Sequence, residues 1–168
     1  AATSFFWSNA STASPQTYPA QLYGNSGGAI TTLQMQQGDG GSNPFFWGPE
    51  YGFARQMAKN SGGKKILIIK ASRGGGGNSF WDKATFDANN ANGHMWGHVR
   101  DTVDAGLGQL AANGDTFSVK GMIYMQGESN GTAEANIADT RLASLSNNLK
   151  SHVNSNYAGA ANNMYTVT

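Results

Sequence analysis

The chain has 168 residues, a formal charge of +1 and 12% charged side chains, roughly half the share usual in soluble domains. With 39% hydrophobic residues it is large enough for one domain with a real core. The composition argues against a basic nucleic-acid face, a disulfide framework or thiolate metal site, since cysteine is absent, and a membrane-spanning segment, since the longest apolar run is Ile66 to Ile69. Polarity comes from Gly, Asn, Ser and Thr instead, a composition common on extracellular and sugar-facing surfaces, and secretion is the expectation drawn from it.

Residues 1–47 read as a loop-rich lead-in, with Phe5-Phe6-Trp7 a short strand and residues 24–28 and 38–41 turn clusters. Pro49 stands where a first helical residue belongs and Glu50 suits the first turn, so a helix is predicted over 49–60 with Phe53, Ala54, Met57 and Ala58 on one face. Residues 64–71 (KKILIIKA) form a short continuous apolar run, the pattern of a strand buried on both faces. A glycine-rich loop, Arg73-Gly74-Gly75-Gly76-Gly77-Asn78-Ser79, follows it.

Val99, Val103, Leu107 and Leu110 predict a helix over 97–112, stopped by Asn113-Gly114. A second buried strand is expected over 117–125, running into Gln126-Gly127-Glu128-Ser129. Ala138, Leu142, Leu145, Leu149 and Val153 mark a long amphipathic helix over 133–154, and residues 164–168 begin another strand. The alternation of helix and strand argues for an α/β fold, a parallel sheet covered on both faces.

Parallel strands bring their carboxyl ends to one rim, so the glycine loop and the 126–129 turn should line one crevice. Glycine lets backbone N–H groups approach a ligand closely. An oxyanion hole needs donors of that kind, and Gln126 adds a side-chain amide. Taken singly, a glycine run is an ordinary turn and a Gln-Gly-Glu-Ser tetrapeptide a solvated strand end; together they are far more specific.

Three ordered stretches carry a resemblance: Gly48-Pro49-Glu50-Tyr51-Gly52-Phe53-Ala54-Arg55, then residues 67–75 with Trp81 beyond, then Ile123 through Ser129. They resemble the signatures of the sialate O-acetylesterase-like group of SGNH carbohydrate esterases. The resemblance implies a three-layer α/β/α flavodoxin-like hydrolase that removes acetyl groups from glycans through a serine acyl-enzyme, with no cofactor and no metal. It implies Gly74 or Gly75 and Gln126 as oxyanion donors, and Glu128 as an acid that orients a catalytic histidine. Its partner is an acetylated glycan, with neither nucleic acid nor membrane; Trp47, Trp81 and Trp96 are available for stacking on sugar rings.

The sequence departs from the pattern at both catalytic ends. The group's Gly-Gln-Ser-Asn-Met turn and its late Asp-x-x-His segment have no counterpart here. Ser8, in a Ser8-Asn9 pair, is the nearest stand-in for the nucleophile, ahead of Ser26 and Ser72. His94 and His98, spaced i and i+4 with Asp101 and Asp104 one turn on, admit a metal reading but are more simply polar helix residues; His152 suits a helix end. A non-catalytic sugar-binding or extracellular assembly protein is the alternative function.

In the sheet order of such hydrolases a central strand separates the strands at 64–71 and 117–125. Either residues 3–8 fill that gap or a further segment of the same protein does. The second is the expectation, which makes the chain an internal portion of a longer polypeptide.

Overall fold

Phe5, Phe6 and Trp7 are all buried, and the fold is organised around them. The computed structural model describes residues 3–11, 18–19, 22–34, 48–88 and 94–168; the turn cluster at 38–41 and Trp47 lie outside them. Strand β1 (Ser4–Ala10) runs parallel to β4 (Leu67–Arg73), in register from Ser4 opposite Leu67 to Ala10 opposite Arg73. Residues 4–10 therefore give β4 its neighbour, and the expectation that an additional segment would do so is corrected. The other edge of β1 is taken, end to end, by two short antiparallel strands, β2 (Leu22–Asn25) and β3 (Thr31–Thr32), inside the stretch read as loop.

Successive residues of a strand point to opposite faces. On one face Phe5 and Trp7 pack with Leu33 and with Ala54 of helix α1 (Glu50–Asn60), Tyr51 and Ile68 closing the cluster. On the other face Phe6 and Ile69 meet helix α3 (His94–Ala112) where that helix carries Gly106. A Cβ at Gly106 would stand 2.8 Å from Ile69 Cδ1 and 3.5 Å from Phe6 Cδ1, so glycine lets the helix lie close on the sheet. Helix α1 is turned from its predicted face: Glu50 and Ala54 are buried, whereas Phe53 and Met57 are exposed. Glu50 reaches back to Lys70 of β4, 3.1 Å away.

The glycine loop leads into a 3-10 turn (Asn78–Trp81) and the short helix α2 (Lys83–Asp87), neither visible in the periodicity. Beyond α3 come β5 (Gly121–Ile123), helix α4 (Thr132–Ala135), helix α5 (Ala138–Asn156) and β6 (Tyr165–Val167). The long helix expected over 133–154 is thus broken before Ala138, where Ile137 has a non-helical backbone. Leu145, Leu149 and Val153 of α5 join Trp96, Leu107, Ala161 and Met164 in the larger core.

Strand β5 pairs in parallel with β6, in a sheet separate from that of β1 and β4. It is shorter than the predicted 117–125 and is half-buried: Met122 and Tyr124 face the core while Ile123 and Met125 are exposed. The fold is α/β, but the described strands form two sheets instead of one continuous parallel sheet. The cause is at β1, whose second edge is filled by β2 and β3, leaving no edge there for β5. Among the described residues no helix is long and apolar enough to cross a membrane.

Candidate active site

Strand β4 ends at Arg73, and the chain must turn sharply to reach the 3-10 segment. Gly75 makes that turn with φ +60°, a conformation costly for residues with a Cβ. Gly77 is required by proximity: a Cβ there would fall 1.8 Å from the Glu134 carboxylate of α4. The loop is thereby pressed onto the segment that follows the Gln126 turn.

A network of polar side chains joins the two. The Gln126 amide nitrogen donates to the Gly76 carbonyl at 3.1 Å and to Asn130 Oδ1 at 2.7 Å. Asn130 Oδ1 also accepts from the Asn78 backbone N–H at 3.0 Å. Asn78, only 2% exposed, donates its side-chain amide to the Glu134 carbonyl at 2.8 Å and accepts from Arg141 of α5. Glu134 Oε1 accepts from the Ser79 N–H at 3.1 Å and pairs with Arg141 at 3.3 Å. The Ser79 hydroxyl and N–H, with Arg141 beside them, hold the Glu134 carboxyl below its ordinary pKa, so the anchor is charged at neutral pH.

Above this network lies a cleft. Arg73, Gly75, Gly76 and Phe80 line one side and Met125, Gln126 and Glu128 the other, with Trp81 and Met95 also contributing. The structure thus brings Gly75 and Gln126 to one site; Gly74 is exposed and does not line it. The N–H groups of Gly75 and Gly76 donate to no acceptor among the described residues, whereas both hydrogens of the Gln126 amide are engaged by protein. In this geometry Gln126 ties the loops together and presents no free hydrogen to a ligand. Tyr124 donates to Gln126 Oε1 at 3.3 Å, and burial, with Glu134 adding to it against Arg141, pushes the phenol up to about 12.

A family model described as carbohydrate esterase, sialic acid-specific acetylesterase matches residues 33–158. The chain belongs to this family. No curated protein and no solved structure matches it. The matched stretch contains both loops of the cleft and the network beneath them; β1 and Ser8 fall outside it.

The other predicted positions of the esterase are placed elsewhere or otherwise. Ser8 sits inside β1, 8% exposed, and does not line the cleft. His98 is near it, but its Nε2 contacts the Ser8 backbone carbonyl at 3.3 Å. Burial lowers the His98 pKa, with the Ser8 carbonyl and then Asp101 pulling against it. Ser26 Oγ accepts from the Trp7 N–H, and Ser72 Oγ donates to Asn9, so neither is paired with a histidine. Glu128 is exposed and accepts from the Gly127 N–H at 3.1 Å; among the described residues no histidine reaches it.

The metal reading does not hold. Asp101 is taken by Arg100 and Tyr18, Asp104 pairs with His152 at 2.9 Å, and no group of described residues could hold a metal ion. Trp96 is 2% exposed in the core and is not available for stacking, whereas Trp81 reaches the cleft. Sequence reading missed Asn78, Asn130, Glu134 and Arg141, because an isolated polar residue looks solvated whether it stands in a loop, as Asn130 does, in a 3-10 turn, as Asn78 does, or on a helix, as Glu134 and Arg141 do. The one local signal was Asn130, which ends the turn that begins at Gly127, directly after Gln126.

Proposed function

We propose that the protein is a carbohydrate O-acetylesterase and that the cleft between the glycine loop and the Gln126 turn receives the acetyl ester. The observation that carries this reading is the joining of the two loops at one cleft, with the Gly75 and Gly76 N–H groups lacking acceptors among the described residues. In acyl transfer the carbonyl oxygen gains negative charge, and fixed N–H donors stabilise it at no cost of reorganisation at that moment. Gln126 contributes by holding the Gly76 carbonyl, and hence the orientation of the neighbouring peptide. The proposed fold of the whole enzyme is the three-layer flavodoxin-like sheet of SGNH hydrolases, with β4 and β1 as its parallel pair. Its site of action is proposed to be extracellular, from the sparse charge of the chain.

The test is hydrolysis of 4-nitrophenyl acetate and of acetylated xylo-oligosaccharides by the intact protein. Gln126→Ala is expected to lower kcat by about 100-fold, the scale seen when an oxyanion hole loses a donor or its geometry. Unchanged turnover in that variant would overturn the reading. A second reading, a sugar-binding protein without catalysis, is favoured by one observation: among the described residues no serine hydroxyl is hydrogen-bonded to a histidine. It predicts that a serine-directed phosphonate leaves the intact protein unlabelled while glycan binding is retained.

A further inference from the structure

Arg73 is the last residue of β4, and it lines the cleft together with Gly75 and Gly76. Its Nη1 donates to the Gly75 carbonyl, and no ion pair among the described residues draws the guanidinium away from that contact. Two further features fix the head group. The guanidinium carbon lies 4.7 Å from the centre of the Phe80 ring, a cation held against an aromatic face. A Cβ at Gly76 would stand 2.6 Å from Arg73 Nη1 and 2.5 Å from Phe80 Cδ2, so the bare Cα of Gly76 makes room for both partners.

A peptide unit is planar, and in the trans form its C=O and N–H point in opposite directions. The Gly75–Gly76 peptide is trans, so the contact that holds the Gly75 carbonyl also fixes where the Gly76 N–H points. The next unit is held in the same way, by Gln126 through the Gly76 carbonyl. Such restraint is needed because glycine lacks the Cβ that forbids most backbone conformations to other residues. A peptide joining two glycines turns over with little steric penalty, and the turn would put the Gly75 carbonyl where the Gly76 N–H had been. A carbonyl in that place repels the developing oxyanion that an N–H stabilises.

We propose that Arg73 is a positioning residue for ester hydrolysis: it locks the Gly75–Gly76 peptide in the orientation that offers the Gly76 N–H to the substrate carbonyl. The proposal rests on the acetylesterase reading of the same cleft. Arg73 touches no reacting atom in this role and acts through the peptide alone. A guanidinium suits the task, since its planar fork is always charged and donates with fixed geometry. A neutral side chain of similar length leaves the carbonyl unheld.

The experiment pairs turnover of 4-nitrophenyl acetate with NMR relaxation dispersion at the Gly76 amide, both on the intact protein. Arg73→Met removes the donors and keeps an unbranched chain. It should lower kcat by about tenfold or more, less than the roughly 100-fold of a donor removed outright, because some molecules keep the peptide in place. KM should stay within about twofold, since the interaction lost belongs to the transition state. The Gly76 amide, free of exchange in the wild type, should broaden in Arg73→Met. Arg73→Lys keeps a charged donor and should recover part of kcat. Phe80→Leu leaves Arg73 in place without its ring and should give both changes in smaller measure; it decides the matter where Arg73→Met fails to fold. Wild-type kcat in Arg73→Met, a loss confined to KM, or variants whose Gly76 amide shows no exchange would overturn the proposal. A wild-type protein that turns over no ester sinks the esterase reading instead, and the Gly76 amide alone then decides whether Arg73 holds the peptide.

Discussion

At the scale of the residue, Asn130 has the largest consequence for its size. Its Oδ1 accepts from the side chain of Gln126, just ahead of its own turn, and from the backbone of the opposite loop, Asn78. Removing that oxygen leaves the Asn78 N–H unsatisfied beside a side chain that is 2% exposed. An unmade buried hydrogen bond costs about 1–3 kcal/mol. Asn130→Ala should therefore lower stability by about that much in urea unfolding and reduce ester hydrolysis with it. Asn130→Asp keeps an acceptor facing two donors and should stay within about 0.5 kcal/mol of wild type. Equal stability of the alanine and aspartate variants would mean that the two loops are held by something else. Gly75 and Gln126 were legible because each lies in a motif at a strand end. The Asn130 bridge was not, because its partner is 52 residues away and hydrogen-bond geometry leaves no periodicity in a sequence.

At the scale of the element, helices were easier to read than strands, for reasons of packing. Helix α3 was predicted within three residues of its observed start because Val99, Val103, Leu107 and Leu110 repeat on one side. Strands β2 and β3 carry only four and two residues, too few for an alternation to stand out, and they exist because β1 offers them an edge. Strand β5 was read as buried on both faces from its apolar run, yet only one of its faces meets helices. The contact of α3 with β4 gives a graded test. A methyl group at Gly106 would press chiefly on Ile69, 2.8 Å from its terminal Cδ1 and 3.1 Å from Cγ1, with Phe6 at ordinary contact distance, and the loss of glycine favours the helix by about 1 kcal/mol, which offsets that pressure. Gly106→Ala should thus be close to neutral in thermal unfolding. Gly106→Val adds branched bulk against both Ile69 and Phe6 and should cost about 1–3 kcal/mol, the usual price of overpacking. Tolerance of valine would show that α3 does not sit tightly on the sheet.

At the scale of the whole molecule, the two hydrophobic clusters share a wall. Ile68 packs with Phe5, Trp7 and Ala54, while its neighbour Ile69 packs with the cluster of Trp96, Leu107 and Val153. Adjacent residues of one strand therefore bind the α1 side to the α3 and α5 side, and neither cluster loses its packing without exposing β4. Sequence patterning pointed to an apolar β4 with a neighbour on its edge, but it could not tell which segment would pair there, since Phe5-Phe6-Trp7 is too short to show a register. Because the wall is common, opening should be cooperative. In native-state hydrogen exchange of the intact protein, the slowest amides of β1 and those of α5 should report the same opening free energy and the same denaturant dependence. A β1 that opens at a free energy well below that of α5 would separate the clusters into independent units. The glycine loop, which hangs from the end of β4, would then lose its fixed position each time β1 detached, and with it the alignment of Gly75 and Gly76 against Gln126.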